Sequence, residues 1–189
     1  YVYTYAGTIG GGQYGGTHGK YGTVTGGQYV HASAYGAVTG GRYNWANGDY
    51  NTISGGGYNY AYKPLDTIAG GYGHQVYGYA STVAGGMYNS AKGPYSTIGG
   101  GWYNQVYASW STVGGGYDND IYGAGSFILS GSSTVVYSDY ASVANGRDHT
   151  MYGDHGTVGG GIYNTAYDEG ATVGGGYSNN AMTDSSTVA

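Results

Sequence analysis

Residues 95–120, YSTIGGGWYNQVYASWSTVGGGYDND, state nearly the same phrase twice. Each copy opens with Ser and Thr, then an aliphatic residue and a run of glycines, and the aliphatic residues Ile98 and Val113 stand 15 apart. Extending that alignment in both directions collects Ile9, Val24, Val38, Ile53, Ile68, Val83, Ile98, Val113, Ile128, Val143, Val158, Val173 and Val188. Every step is 15 residues except the 14-residue step from Val24 to Val38, so one register runs through all 189 residues. Self-similarity at a short fixed period marks a chain built from stacked units.

A second small or apolar column follows eight residues after the first: Thr17, Ala32, Ala46, Ala61, Val76, Ala91, Val106, Ile121, Val136, Met151, Ala166 and Ala181. Between the columns stand paired glycines, as at 55–56, 85–86 and 115–116, which adopt backbone angles that other residues resist. This is the pattern of strand, turn, strand, turn. A helix needs apolar residues three and four apart, and each interior glycine would cost it about 1 kcal/mol. Near-identical neighbours favour coil stacked on coil over a meander of hairpins, because like side chains then form ladders along the axis. The expected fold is an all-β parallel β-solenoid with two short strands per 15-residue coil. About 13 coils spaced about 4.8 Å apart would make a rod of about 60 Å.

Composition narrows the function. The chain has 43 Gly and 27 Tyr but only 8% charged residues. Recurrent Val, Ile, Thr and Tyr separate it from glycine-rich disordered linkers. Five Lys and Arg against ten acids give a net charge of −5, so there is no basic stripe for nucleic acid and none for direct contact with an anionic membrane. Cysteine is absent, and no run of about 18 apolar residues is long enough to span a bilayer. The chain has no leader pattern and no initiator Met, so residues 1–189 are expected to be one repeat domain excerpted from a longer chain or fibre.

The run Ser-Thr-Val-Ala-Gly-Gly-x-x-Asn-x-Ala-x-Gly at 81–93 resembles the head repeat of YadA-type trimeric autotransporter adhesins, where Ser-Val-Ala-Ile-Gly motifs alternate with Ala-x-Gly half-repeats. The Ser-Thr-Val-Gly-Gly-Gly runs are similar to repeats of bacterial surface proteins and phage-type fibres. The resemblance extends over essentially the whole chain. It implies a left-handed β-roll, assembly as a homotrimer, an extracellular or cell-surface location, and contact with a matrix, host or glycan ligand. Two departures stand out: a period of 15 rather than the family's usual 14, and a surface rich in tyrosine.

Several further columns bear on function. Asn44, Asn59, Asn89, Asn104, Asn119, Asn164 and Asn179 recur at one turn and read as a ladder of amides bonding each other and the turn backbone. Tyr58, Tyr88, Tyr103 and Tyr163 precede that column, continuing Tyr14, Tyr29 and Tyr43. Tyr62, Tyr77, Tyr107, Tyr122, Tyr137, Tyr152 and Tyr167 follow the second inward column and point outward by strand alternation. A rigid ring with a polar tip suits packing within the chain, packing against a partner, or a sugar-binding surface. The motif Thr residues form a row like the ice-binding face of some solenoids, but a paired Thr-x-Thr occurs only at Thr23–Thr25, with Thr39 a partial match.

The repeat weakens between Asp118 and His155, where Phe127 replaces the motif Thr and Leu129 and Val135 add apolar bulk. This stretch reads either as drift within a tolerant rod or as a specialised contact patch. Asp148–His149 and Asp154–His155 lie six residues apart without a recognised ligand spacing, and the ten acids as a set do not follow the period. Gly10–Gly15 matches Gly-x-Gly-x-x-Gly formally but opens no helix, and Gly19–Lys20 is followed by Tyr rather than Ser or Thr. No catalytic, metal or cofactor-binding residue is assigned. The expected function is a structural and adhesive extracellular fibre segment, not an enzyme, that self-associates as a homotrimer or filament. A phage-type tail-fibre shaft and an ice-binding solenoid are the alternatives.

Overall fold

The computed structural model describes residues 6–189. These residues form a parallel β-solenoid of about twelve turns, and no helix occurs among them. One sheet of 13 strands runs from Thr8–Ile9 to Thr187–Val188, and one of 12 strands runs from Gly16–Thr17 to Asn180–Ala181. Each strand is two residues long, as in Thr97–Ile98 and Gln105–Val106. Pairing follows the sequence period: Ile98 lies beside Val113, and Val106 beside Ile121. A corner row of single bridges, from Gln13↔Gln28 to Ile162↔Tyr177, adds a third ladder. It widens to a two-stranded sheet where Gly116–Tyr117 meets Gly131–Ser132. The short repeat keeps Val24 opposite Val38, so the missing residue is taken up in the turn between His31–Ala32 and Ala37–Val38.

The first aliphatic column is fully buried from Val24 to Val173, with Ile9 and Val188 partly buried at the two ends. The second column is buried from Thr17 to Ala181. Two polar columns share the interior. One is the Asn row; the other, which the sequence reading did not single out, contains Asn51, Asp66, Ser81, Ser96, Ser111 and Ser126, all buried. The cross-section is therefore half apolar and half hydrogen-bonded, which is tolerable because a buried polar group costs little once it is paired.

The turns correct the expectation that glycine alone makes them. Glycine is required at one corner: Gly101 has φ 88°, and a Cβ there would overlap the Gly116 carbonyl oxygen. Two other corners per coil put large side chains in the left-handed region. Tyr58, Tyr88 and Tyr103 have φ of 57°, 55° and 58° at one, and Tyr50, Tyr95 and Trp110 have 61°, 57° and 56° at the other. That conformation costs a residue with a Cβ roughly 1–2 kcal/mol. Ring stacking, worth about 0.5–1.5 kcal/mol per pair, offsets much of it.

Candidate binding surface

The Asn column is structural in its bonding, and its pattern differs in detail from a side-chain amide ladder. Asn104 Nδ2 donates to Gly100 O at 3.0 Å and to Gly116 O at 3.1 Å, while its Oδ1 accepts the backbone N–H of Asn119 at 3.0 Å. Asn44, Asn59, Asn89 and Asn164 repeat this arrangement, and Asn179 keeps its bonds to Gly175 and Asn164. Each amide thus bonds the neighbouring backbone; only Asn119 Nδ2 also reaches the Oδ1 of Asn104, at 2.9 Å. From Asn44 to Asn164 the amide oxygens and nitrogens are thus engaged inside the rod. The Ser column works similarly: Ser81 Oγ donates to Gly93 O at 2.9 Å and accepts from the Ser96 N–H at 3.2 Å.

The tyrosine columns form stacks on the surface. Tyr107, Tyr122, Tyr137, Tyr152 and Tyr167 make a continuous run with centroids 4.5, 5.3, 5.3 and 5.4 Å apart, tilted by no more than 17°. Tyr62 and Tyr77 stack at 4.3 Å in the same column. At the adjoining corner Tyr14, Tyr29, Tyr43 and Tyr58 stack at 4.8, 4.7 and 4.8 Å, Tyr88 and Tyr103 pair at 5.1 Å, and Tyr163 meets Tyr177 edge-on. Within these stacks the ring faces cover one another, so the runs present edges and hydroxyls outward. Burial and hydrogen bonding to Tyr77 hold the Tyr62 hydroxyl up at about 12, so it stays protonated.

The stretch between Asp118 and His155 keeps the solenoid register. Phe127 and Leu129 are 39% and 50% exposed and sit together on the outer side of the 13-strand sheet, interrupting its Thr row, while Val135 is half-buried on the opposite sheet. The two Asp-His pairs are separated by the fold. His149 is buried in the Asn column, Asp148 pairs with Arg147 at 3.1 Å, and His155 stacks on Tyr140 at 5.3 Å. No group of three or more metal-ligating side chains occurs among the described residues. Four acids do follow the period, contrary to expectation: Asp139, Asp154, Glu169 and Asp184 stand 15 apart. Two of them serve the turn, Asp139 accepting the Ala124 N–H at 2.7 Å and Asp154 accepting the Asp139 N–H at 2.9 Å.

Two hollows open on the outer surface of the described residues. The larger, about 460 Å³, is lined by Tyr14, Tyr29, Trp45, His18 and His31, with the two imidazole Nδ1 atoms 2.8 Å apart. Burial, and then the neighbouring His18, push His31 down to about 4, so it is neutral at physiological pH. The smaller, about 320 Å³, opens on the 12-strand sheet around Ser90. The 15-residue alignment could have found it, because Ser90 and Lys92 replace larger and aromatic residues in their columns. The sequence reading passed over both.

The fold and surface define the class as a parallel β-solenoid rod with aromatic ladders on its outside. Against known proteins, no family model matches the chain and no curated protein matches it.

Proposed function

We propose that the chain is a rod segment of an extracellular fibre, built for surface attachment or filament assembly, with self-association as a homotrimer. The observation that carries this reading is the unbroken in-register stack from Thr8 to Val188, in which each coil docks on a near copy of itself. Such a stack gives reach and stiffness from sequence repetition alone. The apolar core is only two columns wide, so neighbouring chains covering an outer face would add burial that a thin single chain lacks. Low charge suits lateral contact, since like charges stacked in register repel.

The outward tyrosines supply the contact chemistry in this reading. Edges and hydroxyls repeated at coil spacing can interleave with a matching row on another rod or hydrogen-bond to a matrix. Electron microscopy of the native material, counting chains per cross-section and following the rod to its ends, tests the assembly. Replacing Tyr62, Tyr107 and Tyr152 with Ser tests the contact surface. Unchanged assembly together with unchanged surface binding in that triple variant would overturn the role of the tyrosines.

A further inference from the structure

The coil containing Ser90-Ala91-Lys92 departs from its neighbours at both outward positions of one strand. Ser90 lies in register between Gln75 and Gln105, so a short side chain stands between two long ones. Lys92 replaces the tyrosine found at 77 and 107 in its column. The result is the 320 Å³ hollow, walled on its other side by Tyr88 and Tyr103. This volume lies at the small end of ligand sites, about 300–1,000 Å³, and suits one or two sugar rings.

The polar groups of the hollow are arranged as donors. Gln105 Oε1 accepts from Lys92 Nζ at 2.9 Å and from the Tyr107 hydroxyl at 2.9 Å. An ammonium can only donate, so the atom facing it is the carbonyl oxygen and the amide Nε2 is left to donate elsewhere. Gln75 Oε1 likewise accepts from the Tyr77 hydroxyl at 3.1 Å. Ser90 is 8% exposed, and its Oγ is buried without a hydrogen-bond partner. Lys92 also lies 4.1 Å from the Tyr107 ring centroid, which holds the ammonium at the rim. Asp120 follows Gln105 in the same row and is the acid that interacts with Lys92.

We propose that this hollow binds a carboxylate-bearing sugar residue of the uronic acid type. The short Ser90 side chain makes the room; the sugar's acceptor oxygens would be met by the two glutamine amides, its carboxylate by Lys92, and its ring by the edge of the Tyr88–Tyr103 pair. The ligand class deepens the attachment reading and rests on it for biological purpose, although binding itself needs only the rod. The larger hollow carries no comparable inference because its two histidines already bond each other.

The test is titration of the full chain with galacturonate, galactose and acetate, followed by amide NMR shifts and calorimetry. Galacturonate is expected to bind with Kd around 1 mM or tighter, about 4 kcal/mol, shifting the amides of Gln75, Ser90 and Gln105. Galactose should bind about fivefold or more weakly, and Lys92→Gln should bring galacturonate to the level of galactose. Ser90→Gln should fill the hollow and abolish both; the rod already carries Gln at positions 75 and 105 of that row.

No galacturonate binding, acetate binding as tightly as galacturonate, or shifts mapping elsewhere on the rod would overturn the proposal. The wild-type shift map decides the matter even if a variant fails to fold. A rod that assembles or attaches without binding galacturonate would refute the hollow and leave the fibre reading standing. Binding by a chain that neither assembles nor attaches would uphold the site and refute the fibre reading.

Discussion

The Nδ1 of His74 accepts the backbone N–H of Asn89 at 3.1 Å, the bond that Asn59 Oδ1 makes to the His74 N–H at 3.0 Å one coil earlier. His149 does the same for Asn164 at 3.1 Å, and its Nε2 reaches the Asn145 carbonyl oxygen at 3.1 Å. Histidine thus stands in for asparagine: Nδ1 replaces the amide oxygen at both positions, and Nε2–H replaces the amide nitrogen at His149, whereas the His74 Nε2 is buried without a hydrogen-bond partner. The substitution works only for the neutral ring, because a protonated Nδ1 could not accept.

That geometry gives the rod a pH response of defined sign. Burial lowers both His74 and His149 below the usual 6.5. The unfolded chain therefore takes up protons that the folded chain refuses, and stability falls as pH drops below about 6.5. Asp66 acts oppositely, since burial lifts it to about 7 from 3.8. The folded chain holds that proton while the unfolded chain does not, so its contribution is lost as pH rises from about 4 to about 7. Asp66→Asn should raise stability at pH 8 by less than about 4 kcal/mol, three pKa units at 1.36 kcal/mol each, because an amide keeps only one of the two oxygens that accept the Lys63 and Ser81 N–H groups, and the gain should shrink as pH falls toward 4. Chemical denaturation of both proteins across pH 4–8 checks it; a pH-independent difference would show that Asp66 does not hold its proton.

The Asn column makes a second prediction. Asn104→Leu should destabilise the rod by about 3 kcal/mol or more, because it strands the Asn119 N–H and the Gly100 carbonyl and leaves Gly116 O with only the Trp102 N–H. Asn104→His should cost far less, as positions 74 and 149 already show the exchange. Equal losses in thermal melts would mean that side-chain volume rather than hydrogen bonding governs the column.

Left-handed corners predict opposite outcomes for two similar changes. Leu65 has φ 65° and is 44% exposed, so Leu65→Asn should stabilise by about 0.5–1 kcal/mol, Asn being tolerant of that region. Tyr35, at φ 53°, stacks on Tyr21 at 5.3 Å and on Tyr50 at 4.7 Å. Tyr35→Asn should therefore show no such gain. Urea midpoints of the two variants, compared side by side, decide whether ring stacking offsets backbone strain.

Because the register is set coil by coil, deletion of residues 97–111 should leave a shorter rod of nearly unchanged melting temperature. The deletion joins Ser96 to Thr112, the residue that already pairs with Thr97. Deleting residues 97–104 would instead bring Gln105 and Val106 into the place of Thr97 and Ile98 and set the two strand types out of phase. Loss of the cooperative transition is expected for the second deletion only, followed by circular dichroism.

The sequence by itself determined the coil: the 15-residue recurrence from Ile9 to Val188 set the strands, their parallel register and both apolar columns. It could do so because a repeat must dock on its own copy, so one inward residue per coil repeats with little freedom. Only the tertiary structure decided the rest. Ser81, Asn51 and Asp66 look like surface residues until their neighbours enclose them, and Tyr88 and Trp110 give no sign in composition of a left-handed backbone. The hollow at Ser90 is likewise a property of three adjacent coils. Periodicity reports where a side chain points; whether it is paired, strained or left open depends on what the next coil brings beside it.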